Sequence, residues 1–157
     1  MTYYEKHLDQ LCRNKEQELM EKYYGNLVKE AAYERPETIG DYTLDLPLKI
    51  EAEYKAFLEQ IWPEVAPDDL KGAPLVLEEQ KLREIVTTND REQVAQAHKK
   101  ATTQTLWERL TNSNHKDVAH YKFLLKEYTR ELLSTMRLDF MEEITGNHIT
   151  GKTFETE

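Results

Sequence analysis

Residues Asn114–Gly146, NHKDVAHYKFLLKEYTRELLSTMRLDFMEEITG, decide the fold. Asn114 is a residue type that caps a first helical turn. Asp117 stands three places on, where a carboxylate reaches back to the cap amide and complements the positive end of the helix dipole. Gly146 is placed to close the other end. Between them Val118, Tyr121, Leu125, Tyr128, Leu132, Met136, Phe140 and Ile144 recur every three or four residues, which lays them along one side of a helix. Phe123, Leu124, Leu133, Leu138 and Met141 lie off that stripe, so the apolar face is wider than a coiled-coil seam and calls for helices on two sides. The rest of the chain is expected to pack around it.

Composition points the same way. The 157 residues are 39% hydrophobic and 32% charged, with five glycines and five prolines. That suits a single helical domain with a core of its own and leaves little that asks to be sheet. Cys12 is the only cysteine. No intrachain disulfide can form, which points to a reducing compartment, and the thiol reads as a small apolar filler. Met1–Gln10 carries charge where a signal peptide has its apolar core, and no run approaches membrane-spanning length. The expectation is a cytoplasmic protein without a membrane segment.

The formal charge of −9 argues against indiscriminate nucleic-acid binding, but the charge is unevenly placed. Arg91–Arg130 holds eight Lys or Arg against four Asp or Glu, a net of +4 that leaves −13 for the remainder. The long helix is therefore basic in its first half and acidic in its second, where Glu131, Asp139, Glu142 and Glu143 fall.

Taken in order, Tyr3–Tyr33 shows a helical face of Tyr4, Leu8, Leu11, Leu19, Tyr23 and Leu27, interrupted at Lys15 and softened at Gly25, so it predicts one bent helix or two shorter ones. Arg35-Pro36 ends it. Pro36–Pro47 alternates Tyr42, Leu44, Leu46 and Leu48 with polar residues or proline. This predicts an extended arm across the helices, with a small strand pairing as the alternative. Leu48–Trp62 predicts a helix stopped by Pro63. Pro74 stands as an early residue of a further helix running to Val86, broken by Thr87-Thr88-Asn89. Asp90 to Gln93 then reads as a capping box opening the next helix. The sum is a single domain over 1–146, a bundle of five or six helices around the long one, with 147–157 as a tail that is either loose or anchored on a partner.

Between Ala101 and Leu106 the apolar face jumps by about 140° of helical rotation. A helix-turn-helix produces such a jump, and the order of residue types from Gln93 to Leu110 resembles a bacterial helix-turn-helix of small transcription factors. Thr102 would cap the second helix. Lys99, Lys100, Thr103, Gln104, Arg109 and Lys116 would then face DNA or another anionic partner. Lys100 departs from the pattern where the turn often has glycine, and Lys99 where the first helix usually has an apolar residue. The competing expectation is one continuous amphipathic helix with solvated lysines.

No catalytic signature is present. The chain lacks a Gly-x-Ser-x-Gly elbow, a glycine-rich phosphate loop and a Glu-x-x-His pair. His115 and His120 stand five residues apart, about 140° around a helix, so with Asp117 they do not converge on a metal. No catalytic residue, metal ligand or cofactor is expected. Nine tyrosines, two of them in Tyr3-Tyr4 and two in Tyr23-Tyr24, leave aromatic surface for a protein interface, with Tyr3, Tyr24, Trp107 and Phe123 as the candidate anchors. The sequence thus predicts a non-enzymatic, acidic interaction protein of adaptor, inhibitor or accessory type, with a protein partner or a second copy of itself. The alternative is a DNA-binding transcriptional regulator using residues 91–110.

Overall fold

A computed structural model describes residues 2–25, 39, 41–77, 80–102 and 115–145, with the backbone alone at 80–89 and 115. Four α-helices stand among them: α1 (Tyr3–Met20), α2 (Leu46–Val65), α3 (Gln80–Thr102) and α4 (His115–Thr145). There is no strand among the described residues.

The long helix lies within one residue of the expected bounds at each end; its expected caps, Asn114 and Gly146, fall outside the described residues. Val118, Tyr121, Leu125, Leu132, Met136 and Phe140 are buried along its stripe, and Leu133 and Met141 widen the buried face. α4 is the hub against which α1, α2 and α3 all pack. Burying each such side chain stabilises the fold by about 1.5 to 3 kcal/mol against exposure, so this one helix makes a large share of the hydrophobic contribution.

The directions of the helices follow from their contacts. Glu16 on α1 meets Arg137, and Tyr24 just beyond α1 meets Thr129, so α1 runs antiparallel to α4. The Trp62 and Phe140 rings lie 6.2 Å apart, and Tyr121 Oη donates to the Tyr42 carbonyl at 2.6 Å, so α2 runs parallel to it. His98 meets the Tyr121 ring edge-on at 5.1 Å, and Asp90 meets Glu131, so α3 is antiparallel again.

Local chemistry sets the helix ends. Thr2 and Glu5 form a reciprocal capping box, the Thr2 hydroxyl accepting the Glu5 amide at 3.1 Å and the Glu5 carboxylate accepting the Thr2 amide at 3.2 Å. α1 passes into a π-helical turn at Glu21–Gly25, the place where Gly25 softens the sequence pattern. Residues 26–38 lie outside the described residues, so the remainder of the expected first helix is not followed. Of the segment expected as an extended arm, residues 36–38 and 40 lie outside the described residues; Tyr42 is buried against Tyr24, ring centroids 5.4 Å apart. The chain then turns rather than extending, and α2 starts at Leu46 with Pro47 in its first turn.

Three boundaries differ from expectation. Pro63 sits inside the last turn of α2 and does not end it, because at that position proline forfeits only the one hydrogen bond to the carbonyl of Glu59, an exposed residue. Pro74 is not in a helix. The chain leaves α2 through a single 3₁₀ turn at Asp68–Leu70 and Gly72, whose φ of 88° favours glycine, and Trp62 Nε1 pins this loop by donating to the Ala73 carbonyl at 2.9 Å. Finally, α3 runs unbroken through Thr87-Thr88-Asn89 and Asp90. Packing along α4 outweighs the local capping signal, and two expected helices become one. Among the described residues the α-helices number four, and residues 26–38 and 103–114 lie outside them.

Among the described residues no helix is long and apolar enough to cross a membrane.

Candidate functional site

The sequence-predicted contact residues do not gather in one place. Lys99 and Lys100 are exposed in the last turn of α3, where cations complement the negative helix end. α3 is continuous across Lys99–Thr102, and the Thr102 hydroxyl donates back to the carbonyls of His98 at 2.9 Å and Lys99 at 3.2 Å. The helix is unbroken across these residues, so the turn that a helix-turn-helix needs at Lys99–Thr102 is not there; residues 103–114 lie outside the described residues. Lys116 is exposed in the first turn of α4. Thr103, Gln104, Trp107 and Arg109 lie outside the described residues. His120 is exposed, and among the described residues no group of three His, Cys, Asp or Glu is placed to hold a metal.

The aromatic candidates divide. Tyr3 is 88% exposed and Phe123 60%, both open to a partner, whereas Tyr24 is 1% exposed and belongs to the core. The correction at Tyr24 has a specific cause. Its hydroxyl finds a buried partner in the Thr129 hydroxyl at 2.8 Å, and the Thr129 hydroxyl bonds the Leu125 carbonyl at 2.8 Å, so the ring is buried without leaving a polar atom unsatisfied. Burial pushes the Tyr24 hydroxyl well above the usual phenol range.

Beneath this lies a polar cluster that sequence reasoning missed. The core-facing line of α1 is Leu8, Cys12 and Leu19, with Asp9 and Glu16 turned inward beside them, while Tyr4 and Leu11 are exposed. Arg137 Nη1 donates to both Glu16 oxygens, at 2.7 and 2.8 Å, and Tyr54 Oη from α2 donates to Glu16 Oε2 at 2.7 Å. Arg137 Nε lies 3.2 Å from Asp9 Oδ1, an ion-pair contact without the angle of a hydrogen bond. Cys12, fully buried among them, has its thiol pushed up to about 12, first by burial and then by the Glu16 and Asp9 charges. The thiolate is suppressed, and the cluster clamps α1, α2 and α4 together.

Above the cluster α1 and α4 part, leaving an open cleft of about 820 Å³. Met20, Tyr24 and Leu133 form its apolar floor, and Arg13, Lys126, Arg130 and Arg137 supply cations from both walls against Glu16 and Glu21. On the other side of α4, against α3, a second cleft of about 400 Å³ is lined by Asp90, Glu127, Tyr128 and Glu131. Arg130 and Ser134 line both clefts and form the ridge between them. Phe123, Glu127, Arg130, Ser134 and Leu138 follow one another at spacings of four, three, four and four, so the ridge is a continuous helical line that ends in Phe123 on one side and Leu138, 52% exposed, on the other. Only the spacing of Phe123 and Leu138 from the main stripe hinted at this line in the sequence.

Comparison of the chain with known protein families, with curated proteins and with solved structures finds no match.

Proposed function

We propose that this protein is a non-catalytic interaction protein of adaptor or accessory type, which docks a protein partner on the open side of α4 between α1 and α3. One observation carries the reading. The helix that is most buried on three sides presents on its fourth a line with two large exposed apolar side chains, Phe123 and Leu138, and a cleft on either flank. Exposed apolar anchors beside concave surface, rimmed by charge, are the ordinary anatomy of a docking face. A second copy of the chain and a foreign protein are both admissible partners, and sedimentation of the purified protein separates them.

The test is site-specific photo-crosslinking in the native host. A crosslinker at position 123 or 138 is expected to give one defined adduct, and a crosslinker at Lys55 or Glu59, exposed on α2, is expected not to. Leu138→Glu, with unchanged circular dichroism, should remove the adduct formed from position 123. Equal adducts from all four positions, or none from any, would remove this reading.

A further inference from the structure

We infer that the cleft between α1 and α4 receives an acidic amphipathic helix of the partner protein. This rests on the docking face above and names the chemistry of its occupant.

The shape argues first. The cleft is an open trough between two antiparallel helices, and its α4 wall runs from Lys126 to Arg137, a rise of about 16 Å or three helical turns. A floor of Met20, Tyr24 and Leu133 suits apolar side chains repeating every three or four residues, the mode in which an amphipathic helix lies in a groove.

The charge argues next, because three of the four cations that line the trough stand on the α4 wall, which carries no carboxylate of its own in the lining. Glu16 is charge-paired with Arg137 and accepts from Tyr54, whereas Glu21, exposed at the α1 end of the trough, accepts only the neutral Gln17 amide at 3.2 Å and keeps its charge, so the acidic flank of the occupant lies toward α4. Lys126 has no ion pair among the described residues. Arg13 and Arg130 are more than half exposed, and each is held only by a carboxylate on its own helix, Asp9 and Glu127. Exposed pairs of that kind contribute at most about 1 kcal/mol, so exchanging them for a partner's carboxylates costs little. The cationic wall is that of α4, with Lys126, Arg130 and Arg137, and over an apolar floor it selects a ligand that is apolar on one face and acidic on the flank laid against α4. The net charge of −9 limits its extent. A long polyanion such as a nucleic acid would run out of the cleft onto acidic surface, whereas a helix of three turns would not.

Three labelled synthetic helices of about 14 residues test this, sharing one leucine face and carrying glutamate, glutamine or lysine on one flank. With the intact protein, fluorescence anisotropy is expected to show the glutamate peptide binding about tenfold tighter than the glutamine peptide at about 50 mM salt. The gap should narrow at about 300 mM, with the lysine peptide weakest. Lys126→Glu with Arg130→Glu should reverse the order, and Lys55→Glu should leave it unchanged. Equal binding of the glutamate and glutamine peptides, or no binding of any, overturns the inference. So does duplex DNA competing as well as the glutamate peptide, or a purified dimer that Lys126→Glu dissociates. If the peptides fail while the crosslinks from position 123 persist, the docking face stands and only the acidic helix falls.

Discussion

Arg137 on α4 and Glu16 on α1, 121 positions apart, meet through one guanidinium nitrogen that donates to both carboxylate oxygens, at 2.7 and 2.8 Å. Both side chains are nearly withdrawn from solvent. Because Tyr54 reaches the same carboxylate from α2, a single largely buried anion ties three helices together. The open cleft begins where this clamp ends.

Arg137→Met leaves the largely buried Glu16 carboxylate with the Tyr54 hydroxyl but without its bonded cation, and because the cleft keeps Glu16 partly solvated the expected loss of stability is about 2 to 3 kcal/mol. The double variant Glu16→Gln with Arg137→Met should recover most of it, since the amide oxygen still accepts from Tyr54 and no charge remains buried. Urea unfolding of the three proteins measures both effects. A loss below about 1 kcal/mol in the single variant would mean that the pair behaves as a solvated surface bridge.

This clamp also marks the limit of what the sequence revealed. The α4 stripe was legible because apolar residues at helical spacing leave few alternatives, and the buried residues from Val118 to Phe140 follow it. The face of α1 was misjudged because Asp9 and Glu16 occupy inward positions, and a charged residue reads as solvated until its partner is known. Arg137 is too far away in sequence to announce itself. Capping signals misled at Asp90 for a related reason: they are local, while α3 is held straight by α4. The exposed line Phe123–Leu138 was half legible. Phe123 stood out as an aromatic off the stripe, but the flanking clefts depend on where α1 and α3 lie.

The continuity of α3 makes a backbone prediction. Thr88→Pro removes an amide donor and crowds the preceding turn in mid-helix, at an expected cost of about 3 kcal/mol. Were the chain broken at Thr87-Thr88-Asn89, the same change would be close to neutral. Thermal unfolding followed by circular dichroism distinguishes the two.

Cys12 serves as an internal reporter. With its side chain fully buried and its thiol pushed up to about 12, it should resist a thiol reagent in native buffer. Labelling should accelerate with added urea in step with the fraction unfolded, by at least about a thousandfold overall. Rapid labelling of the folded protein would contradict the packing of α1 against α2 and α4.

The Glu131–Asp90 contact joins α4 to α3 and predicts a pH dependence opposite to that of an ordinary ion pair. Hydrogen bonding with Asp90, then burial, then the Asp90 charge raise the Glu131 carboxyl from 4.5 to about 7. The folded state therefore holds this proton more tightly than the unfolded chain. Its contribution to stability is fully present below about pH 4.5 and is lost as the pH rises through about 7. Glu131→Gln keeps a donor for Asp90 and removes the titration, so the variant should match the wild type near pH 4.5 and exceed it in stability above pH 7. Asp90→Asn should have the same sign, because it takes away the neighbour whose charge and hydrogen bond raise Glu131. Comparing urea midpoints of the three proteins across this range cancels the other carboxylates, which titrate alike in all three. A variant that tracks the wild type at every pH would show that the two carboxyls do not share a proton across the α3–α4 contact.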